Sequence, residues 1–506
     1  MNALKKNQTW DITNLPQGKK AVGCKWVFTP KYNADGTLNK YKARLVAKGF
    51  TQTYGLDYNE TFAPVAKLNT VRILISIAVN LDWPLLQLDI KNVFLNGDLK
   101  EEVYMTLPPG FENGHDKQVC KLNKSIYGLK QSPRAWFDRF SQVLKAEGYN
   151  QCLSDHTMFT MNHEGMITIL IVYVDDIILT ENNPQEMNRI KLALNKDFEV
   201  KDLGNLKYFL GMEVARSKEG IHVSQRKYVL DLLKETGMLG CKPSKTPISV
   251  KKKKKKVEQP TTEQEVAEKK KQEEEEKPAD IGRYQRLVGK LIYLSHTRPD
   301  IAFAVSTASQ HMHSPKQKHL KAAYKILKYL KGTPGRGLFF RKTNLRTIEI
   351  YTDVDWEGDQ ENSRSTSGYC TFVWGNLVTW QSHKQRVVST SSAESELRSL
   401  SEGLKEGIWL KRVADETYTK IESPLKLYYD NKATLSMALN PVQHSRTKHV
   451  DVDRHFIREK VEDGIICLSY IPTKLQLADI LTKGLPEDIF EGFVCKLDMM
   501  SIYDPT

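Results

Sequence analysis

The sequence contains no long apolar run. None of its stretches approaches the roughly 20 apolar residues that a transmembrane helix needs, and the first ten residues, MNALKKNQTW, lack the apolar centre of a secretion signal. We therefore expect no membrane partner. The seven cysteines are scattered, without a CxxC pair or a histidine at zinc spacing. This pattern argues against a disulfide framework and a zinc knuckle, and it predicts reduced thiols in an intracellular protein.

Acidic residues are too few to balance the basic ones. The chain of 506 residues carries 75 Lys+Arg against 61 Asp+Glu, a formal net charge of +14, which favours a polyanionic partner. Residues 249–280 contain almost no large apolar side chain and carry blocks of like charge, so they predict a solvated linker. The lysine run at 251–256 is either part of this tether or a nuclear import signal or phosphate contact. A chain of this length predicts about three domains.

Two adjacent carboxylates, Asp175 and Asp176, stand inside the apolar stretch ITILIVYVDDIIL. An unpaired buried carboxylate is costly, so such a group takes up a proton or finds a cation. The β-branched residues on both sides leave only two residues for a turn, which predicts a tight hairpin with acids at its tip. An Asp-Asp pair can also be an ordinary polar turn. A third acid, Asp89, interrupts the apolar strand LLQLDIKNVFL, and two such strands side by side would present oxygen ligands to divalent ions.

The motifs around these acids resemble the reverse transcriptase of Copia-type long-terminal-repeat retrotransposons, especially those of plants. The stretches that carry the resemblance are YVDDIIL, QLDIKNVFLNGDLKEEVYMTLPPGF, YKARLVAKGFTQTYGLDYNETFAPVAKLNTVRILISIA and SIYGLKQSPRAWF. The resemblance covers residues 1–247 and resumes from about 283 to 486. It implies a multidomain α+β and α/β fold: a right-hand polymerase with fingers, palm and thumb, a helical connection, and a ribonuclease H-like domain with a mixed sheet.

The resemblance assigns the polymerase acids. It makes Asp89 and Asp175 the main catalytic metal ligands, with Asp176 the lesser one because adjacent strand residues point to opposite faces. Phe94 matches the gate that rejects a 2′ hydroxyl, although an ordinary core phenylalanine is the alternative.

The resemblance also implies nucleotide and primer contacts. Lys42 and Arg44 lie on the basic strand expected to bind the incoming triphosphate, and which of the two does so is left open. The residues implied under the templating base and nucleotide are Gly128, Lys130 and Gln131. The residues implied to grip the primer end, in YFLGMEV, are Phe209, Leu210, Gly211 and Met212.

A second set of acids follows in the last third of the chain. Asp353 ends the strand TIEIYTD, Asp430 ends LKLYYD, and Asp479 stands at a predicted helix start in LADILTKGL. Single acids at such positions are commonly helix caps or dipole partners. Their order, with a glutamate helix between them, resembles ribonuclease H, in which four carboxylates bind two magnesium ions and the RNA of an RNA–DNA hybrid is cut. The implied catalytic metal ligands are Asp353, Glu396, Asp430 and Asp479.

Three details of this second set stay open. Glu394 and Glu396 face roughly opposite sides of one helix, and the resemblance favours Glu396. Lys474 stands nearest the place of the mobile-loop histidine of many ribonucleases H. In RTKHVDVDRHFIRE, three residues either contact substrate or pack the helix: His449, Asp451 and His455.

The pattern and the resemblance together predict a domain order. The predicted segments are fingers and palm (1–205), primer-grip hairpin and thumb (206–248), disordered charged linker (249–282), helical thumb or connection (283–345), ribonuclease H (346–490) and a tail (491–506). No aspartic-protease triplet, integrase zinc cluster or nucleocapsid knuckle is visible, so we expect the chain to be a processed or excised part of a longer protein.

The predicted function is RNA-directed and DNA-directed DNA synthesis with ribonuclease H activity. The expected cofactor is Mg²⁺, two ions per active site, with Mn²⁺ as an alternative. The expected partners are an RNA template, a DNA primer, the RNA–DNA hybrid and deoxynucleoside triphosphates. Cytoplasmic virus-like particles are the expected location, and nuclear entry, integrase or capsid association and oligomeric state are left open. The alternative is a catalytically impaired element remnant that only binds nucleic acid.

Overall fold

The computed structural model describes most of the chain. The described residues are 1–32, 37–111, 118–250, 273–356, 364–389, 391–440 and 448–503, with the backbone alone for Tyr32 and for residues 448–451. Most of the predicted charged linker, including the lysine run at 251–256, lies outside these ranges. The domain boundaries predicted from the sequence stay predictions. None of the described helices combines the length and apolar content that crossing a membrane requires.

The chain divides into two compact units. Unit 1 comprises Met1–Lys67 and Pro84–Leu206, and unit 2 comprises Leu68–Trp83 and Lys207–Thr506. The chain therefore passes into unit 2 for one short segment, returns to unit 1, and then completes unit 2.

Several α-helices begin at a polar residue whose side chain accepts backbone N–H groups. Asn183 accepts from the N–H groups of residues 185 and 186, and Ser391 accepts from that of residue 394, which satisfies donors that a helix start leaves free. The α-helices are α1 (Asn2–Lys6), α2 (Leu68–Asn80), α3 (Ser132–Ala146), α4 (Pro184–Asp197), α5 (Arg226–Glu235), α6 (Ile281–Leu294), α7 (Ala302–Ser309), α8 (Gln317–Gly332), α9 (Ser392–Glu416), α10 (Lys432–Leu439), α11 (Lys448–Glu462) and α12 (Glu487–Lys496). Short 3₁₀ helices are Gly49–Thr51, Val93–Asn96, Pro299–Ile301, Thr473–Leu475 and Leu477–Leu481.

The described strands of unit 1 form three sheets. These strands are β1 (Trp10–Asn14), β2 (Ala21–Val22), β3 (Cys24–Tyr32), β4 (Leu38–Ala47), β5 (Leu85–Ile90), β6 (Asp98–Thr106), β7 (Gln118–Lys124), β8 (Asn150–Gln151), β9 (Met158–His163), β10 (Met166–Tyr173), β11 (Asp176–Glu181) and β12 (Val200–Asn205). The sheet orders are β12-β5-β11-β10-β9-β8, β1-β7-β6-β2 and β3-β4.

The six-stranded sheet of unit 1 carries the main core. Its strand β10 is apolar on both faces, and Ile169, Leu170 and Ile171 are fully buried. On one face Leu170 packs in a cluster with Phe140 of α3 and Ile190 of α4. Burying each such side chain stabilises the fold by about 1.5–3 kcal/mol. This packing gives the strands that end in acids a rigid base.

The described strands of unit 2 form two five-stranded sheets. These strands are β13 (Tyr208–Phe209), β14 (Met212–Arg216), β15 (Gly220–Ser224), β16 (Arg336–Arg341), β17 (Ile348–Asp355), β18 (Thr366–Val373), β19 (Asn376–Lys384), β20 (Leu425–Tyr429), β21 (Ile466–Tyr470) and β22 (Met499–Ser501). The sheet orders are β13-β14-β15-β16-β22 and β19-β18-β17-β20-β21. In the second sheet β17 pairs antiparallel with β18 and parallel with β20.

Helix α2 belongs to unit 2 through a buried arginine. The Arg72 guanidinium lies 4.1 Å from the centroid of the Trp380 ring. Its Nε donates to the Val378 carbonyl at 2.5 Å, and its Nη1 donates to the His296 carbonyl at 2.8 Å. A desolvated contact between a guanidinium and a tryptophan ring contributes about 2 kcal/mol to stability. This arginine therefore fixes α2 beside strand β19.

A second buried charge joins the helical part of unit 2. Arg298 and Asp300 are each 1% exposed, and Arg298 Nη2 donates to Asp300 Oδ2 at 2.7 Å. The Tyr329 hydroxyl of α8 donates to the same oxygen at 2.6 Å. Arg298 Nη1 also donates to the Thr333 carbonyl at 2.8 Å. Every charged atom of the pair thus has a partner, which a buried ion pair requires.

Candidate functional site

The two adjacent aspartates occupy a hairpin turn, as the sequence predicts. Strand β10 ends at Tyr173 and β11 begins at Asp176, and these two residues are directly opposite each other. Only Val174 and Asp175 lie between them, and Val174 adopts a left-handed φ of +54°. The turn therefore holds Asp175, while Asp176 is the first residue of β11.

The third acid lies beside this turn. Asp89 in β5 is directly opposite Asp176 in β11, and the Ile90 N–H donates to the Asp175 carbonyl at 2.9 Å. Directly opposed residues of antiparallel strands have Cα atoms about 4.5–5.5 Å apart. The structure therefore brings together the three acids that the sequence predicts for the first site.

Burial and mutual repulsion act on these carboxyls. Burial, followed by the charge of Asp175, raises the pKa of Asp89 above its ordinary value. The pKa of Asp176 is raised mainly by burial, although Gln87 Nε2 donates to its Oδ1 at 2.9 Å and opposes the rise. Grouped carboxylates that resist ionisation favour a bound cation, since a cation removes the repulsion.

Basic side chains from β4 lie near the same acids. Lys42 and Arg44 are two residues apart on β4 and share one face of the strand. Burial and the charge of Arg44 lower the pKa of Lys42, and the charges of Asp89 and Asp175 oppose that decrease. Lys42 is thus in electrostatic contact with the acids, which suits a role toward an anionic group bound beside them.

Tyr127 is a residue of this site that the sequence reasoning missed. The Arg44 guanidinium carbon lies 5.6 Å from the centroid of its ring, and the ring of Phe94 meets it edge to face at 4.9 Å. Phe94 itself is half-buried. Tyr127 stands inside the quoted motif SIYGLKQSP, directly before Gly128, so its place in that motif was the signal available.

The three residues implied under the nucleotide pack against the segment after β4. Gly128 has a φ of +92°, and a Cβ there would lie 2.2 Å from the Ala47 carbonyl oxygen, so only glycine fits. Gln131 is buried and accepts a hydrogen bond from Gln52 Nε2 at 3.0 Å. Lys130 Nζ donates to the Gln52 carbonyl at 3.3 Å. Their nucleotide contacts stay predictions.

The four residues implied to grip the primer form a tight hairpin in unit 2. Phe209 pairs with Met212, and both side chains are buried. Leu210 and Gly211 make the turn between them, with φ of +48° and +72°. Both turn residues are partly exposed, and Tyr208 before them is exposed.

The second set of acids also converges. Asp353 lies in β17 and Asp430 directly follows β20, and because these strands are parallel their carboxyl ends meet at one edge of the sheet. One carboxylate oxygen each from Asp353, Asp430 and Asp479 lies within 4.8 Å of the others. Oxygen ligands at this spacing fit a hard divalent cation such as Mg²⁺. A cleft of about 550 Å³ opens over Asp353, Asp430 and Glu396.

Glu396, and not Glu394, lines this cleft. Asn431 Nδ2 donates to Glu396 Oε2 at 2.8 Å, and the Thr434 hydroxyl donates to the same oxygen. Burial raises the pKa of Glu396, with the charges of nearby aspartates adding to the rise. Glu394 instead forms an ion pair with Arg398 at 2.9 Å. The sequence left this choice open, and Asn431 and Thr434 were not foreseen as partners.

Asp479 is held in a different element from the one predicted. It lies in a five-residue 3₁₀ helix and not at the start of an α-helix, because Gly484 and Pro486 follow too soon for a helix to propagate. Burial, followed by the charge of Asp353, raises its pKa to about 7. Lys483 Nζ lies 2.9 Å from Asp479 Oδ1 and 3.4 Å from Asp353 Oδ2. The spacing of four residues between Asp479 and Lys483 was the signal for this contact.

Two of the remaining predicted residues are exposed, and the side chains of two others are not described. Lys474 is exposed in a 3₁₀ helix, and its carbonyl accepts a hydrogen bond from Lys496 Nζ at 3.2 Å. His455 is exposed on α11. The side chains of His449 and Asp451 lie outside the described residues.

Comparison with known proteins gives the family. Residues 7–250 match the family described as reverse transcriptase (RNA-dependent DNA polymerase). The chain is 41% identical over 99% of its length to the retrovirus-related Pol polyprotein from transposon RE1 of Arabidopsis thaliana, and 39% identical over 98% to that from transposon TNT 1-94 of Nicotiana tabacum. It is also 30% identical to a Ty5-1 transposon protein of Saccharomyces cerevisiae, over 63% of this chain and all of that protein.

The chain belongs to the reverse transcriptase family and, within it, to the Pol polyproteins of plant Copia-type retrotransposons. It covers 33% of the RE1 polyprotein and 37% of the TNT 1-94 polyprotein, so it spans about a third of these relatives. The resemblance stated from the sequence is thereby confirmed. The predicted mixture of helices and several sheets in more than one compact unit is also confirmed.

Solved structures align only loosely. LC11-RNase H1 in complex with RNA/DNA hybrid aligns with 27% of this chain and 94% of that chain, at 18% identity and a TM-score of 0.21. The foamy viral protease-reverse transcriptase in complex with dsDNA aligns with 93% of this chain and 79% of that chain, at 11% identity and a TM-score of 0.21. TM-scores this low carry no weight for the fold, which the sheet topology describes directly.

Proposed function

We propose that the chain is an RNA-directed and DNA-directed DNA polymerase that also hydrolyses the RNA of an RNA–DNA hybrid. The observation that carries the proposal is the register of the six-stranded sheet, which sets Asp89 opposite Asp176 at the Asp175 turn. A chain of this family with three acids at one sheet end has the ligands that phosphoryl transfer requires.

The acids of the first site would hold the divalent ions. Asp89 and Asp175 are the proposed main ligands, and Asp176, whose Oδ1 already accepts from Gln87, is the lesser one. Bound Mg²⁺ would stabilise the charge that develops on the phosphate oxygens.

Other side chains of the first site bind and orient the reactants. Lys42 and Arg44 contact the triphosphate, since Arg presents paired donors to phosphate oxygens and Lys presents a point charge. Phe94, supported edge to face by Tyr127, occupies the space that a 2′ hydroxyl would need. The reaction joins the primer 3′ oxygen to the α-phosphate of a deoxynucleotide and releases pyrophosphate.

The second site would cleave the RNA strand of the hybrid. Its proposed ligands are Asp353, Glu396, Asp430 and Asp479, whose oxygen donors suit Mg²⁺ and admit Mn²⁺. Asn431 and Thr434 orient Glu396 by hydrogen bonds to one oxygen, which leaves the other oxygen for an ion. Outer partners of this kind fix the geometry of metal ligands.

The proposed partners follow from this chemistry. They are an RNA template, a DNA primer, the RNA–DNA hybrid and deoxynucleoside triphosphates, and the excess positive charge of the chain favours all four. We propose cytoplasmic virus-like particles as the place of action. Cell fractionation that finds the protein apart from sedimenting particles would contradict this location.

Paired substitutions test the two activities separately. Primer extension on an RNA template, with and without chelator, is compared with cleavage of a preformed RNA–DNA hybrid. Asp175→Asn should abolish extension and leave cleavage, while Asp430→Asn should do the reverse. Asp415→Asn, in an exposed ion pair with Lys411, is the matched control and should change neither.

The outcomes separate the proposal from its alternative. A wild-type protein that binds the hybrid but neither extends nor cleaves would support the catalytically impaired remnant. Extension that survives Asp175→Asn would overturn the assignment of the hairpin acids. Loss of one activity in the wild type would limit the proposal to the other site.

A further inference from the structure

The primer-grip hairpin is weakly held by its own sheet. Strand β13 has two residues and, among the described strands, lies at the edge of its sheet with β14 as its one neighbour. Its ladder consists of two residue pairs, Tyr208 with Glu213 and Phe209 with Met212. Strands this short contribute little independent stability. The turn of Leu210 and Gly211 therefore needs another support if it is to hold one position.

A tyrosine from a helix distant in the sequence provides that support. The Tyr293 hydroxyl donates a hydrogen bond to the Leu210 carbonyl. Tyr293 lies in α6, which follows Leu210 by more than 70 residues of chain and comes after the charged segment. A bond to the turn carbonyl fixes the orientation of the Leu210–Gly211 peptide.

The turn and the tyrosine fit each other closely. Gly211 has a φ of +72°, and a Cβ there would lie 2.6 Å from the Tyr293 hydroxyl oxygen. The next atom of the tyrosine, Cζ, would lie 3.5 Å away, an ordinary contact. Glycine is thus required at this turn both for its backbone conformation and for the space that the hydroxyl occupies.

The tyrosine is itself held in place. Its ring meets the ring of Tyr228 in α5 edge to face, with centroids 5.1 Å apart. Lys290, one turn earlier in α6, forms an ion pair with Glu235 of α5. Leu287, Leu291 and Leu294 of α6 are buried. The hydroxyl is therefore presented to the turn from a packed helix pair.

We propose that Tyr293 is a positioning residue that fixes the primer-grip turn and thereby the place of the primer 3′ end. The proposal rests on the proposed polymerase function. It makes the accuracy of primer placement depend on α6, a helix that sequence alone assigns to the thumb or connection. Tyr293 acts through the backbone of the turn and needs no contact with the nucleic acid.

The first experiment removes the hydroxyl alone. Tyr293→Phe should lower the extension rate of a bound primer at saturating deoxynucleotide by about three- to tenfold, as the loss of one hydrogen bond implies. The KM for deoxynucleotide and the cleavage of a preformed hybrid should stay unchanged. Tyr228→Phe is the matched control, since its hydroxyl donates to the Lys290 carbonyl at 3.5 Å and its loss leaves the bond from Tyr293 to Leu210 in place. An extension rate of Tyr293→Phe equal to that of the control would overturn the proposal.

A second pair of variants tests the close fit. Gly211→Ala should reduce extension strongly, because the new Cβ meets both an unfavourable φ and the tyrosine hydroxyl. In the Tyr293→Phe background, Gly211→Ala should reduce the extension rate by a factor at least about threefold smaller than in the wild type. The hydroxyl oxygen is then absent, so only the backbone strain remains. If the loss of extension rate in the double variant equals the product of the losses in the two single variants, the hydroxyl has no such role.

Hydrogen exchange separates this proposal from the polymerase function. Amides of residues 208–213 should exchange about three- to tenfold faster in Tyr293→Phe than in the wild type, whether or not the protein extends a primer. Unchanged exchange would overturn the positioning role. If the wild type fails to extend a primer but the amides still exchange faster in Tyr293→Phe, the polymerase function is overturned. The conclusion that Tyr293 supports the turn then still holds.

Discussion

Replacing Asp300 by asparagine should destabilise the helical part of unit 2 severely. The substitution keeps the size of the side chain and removes its charge, so Arg298 remains buried at 1% exposure without a countercharge. Breaking a buried ion pair on one side costs about 3–5 kcal/mol. The Tyr329 hydroxyl also loses its charged acceptor, now at 2.6 Å, and charge-assisted hydrogen bonds are the stronger kind.

Local hydrogen exchange is the suitable measurement, since a chain of several domains does not unfold in two states. A loss of about 3–5 kcal/mol corresponds to exchange about 10²–10⁴-fold faster in peptides covering residues 298–309 and 325–333. Asp415→Asn, in an exposed pair, should change local stability by less than about 1 kcal/mol. The double variant Arg298→Met with Asp300→Leu should recover most of the loss, because apolar residues of similar size can replace a buried pair.

The pH dependence gives an independent check. Burial opposes ionisation of Asp300, but the charge and hydrogen bonds of Arg298 outweigh it and hold the pKa of Asp300 below its ordinary value of 3.8. The stabilisation is therefore complete above about pH 3.8 and is lost as the pH falls through the lower, folded-state pKa. The wild type and Asp300→Asn should converge in stability in that acid range. Equal stability of Asp300→Asn and Asp415→Asn at neutral pH would refute the reasoning.

Three further predictions concern the two sites. Phe94→Ala should raise ribonucleotide incorporation relative to deoxynucleotide by about tenfold or more, measured as the ratio of kcat/KM values, and an unchanged ratio would identify Phe94 as an ordinary core residue. Lys42→Ala should raise the KM for deoxynucleotide by about tenfold or more, since a charge-assisted contact is lost; steady-state kinetics with unchanged KM would contradict this. Thr434→Val should weaken divalent-ion binding at the second site by about 10–100-fold, measured by calorimetry with Ca²⁺, while Thr417→Val leaves it unchanged.

The strands that carry the acids were predictable because their signals are local. The apolar run of β10 and β11 leaves two residues for the turn, and β5 has its own apolar pattern ending at Asp89. The same holds for the second site, where the apolar patterns that lead to Asp353 and Asp430 are visible in the sequence, although β17 continues two residues beyond Asp353. Pairing of these strands in one sheet then brings the acids close together.

The partners of these acids were not predictable, because they depend on long-range packing. Tyr127 and Thr434 stand in motifs whose spacing says nothing about which side chain they contact, whereas the four-residue spacing of Lys483 from Asp479 was a local signal. The packing partners of α2 in unit 2 were not foreseen either. Its apolar residues lie on nearly all sides, which predicts burial, but an apolar surface does not specify its partner. Arg72 could have raised the question, since a lone charge in such a helix needs acceptors.

The excursion of residues 68–83 into unit 2 limits how this protein can be divided. A fragment that begins after the charged segment would lack α2, and the carbonyls of Val378 and His296 would lose the donor that Arg72 provides. The Trp380 ring would lose its guanidinium neighbour as well. We therefore expect the sheet that carries Asp353 to keep its full packing only in a fragment that also contains residues 68–83, a stretch encoded upstream of Asp89.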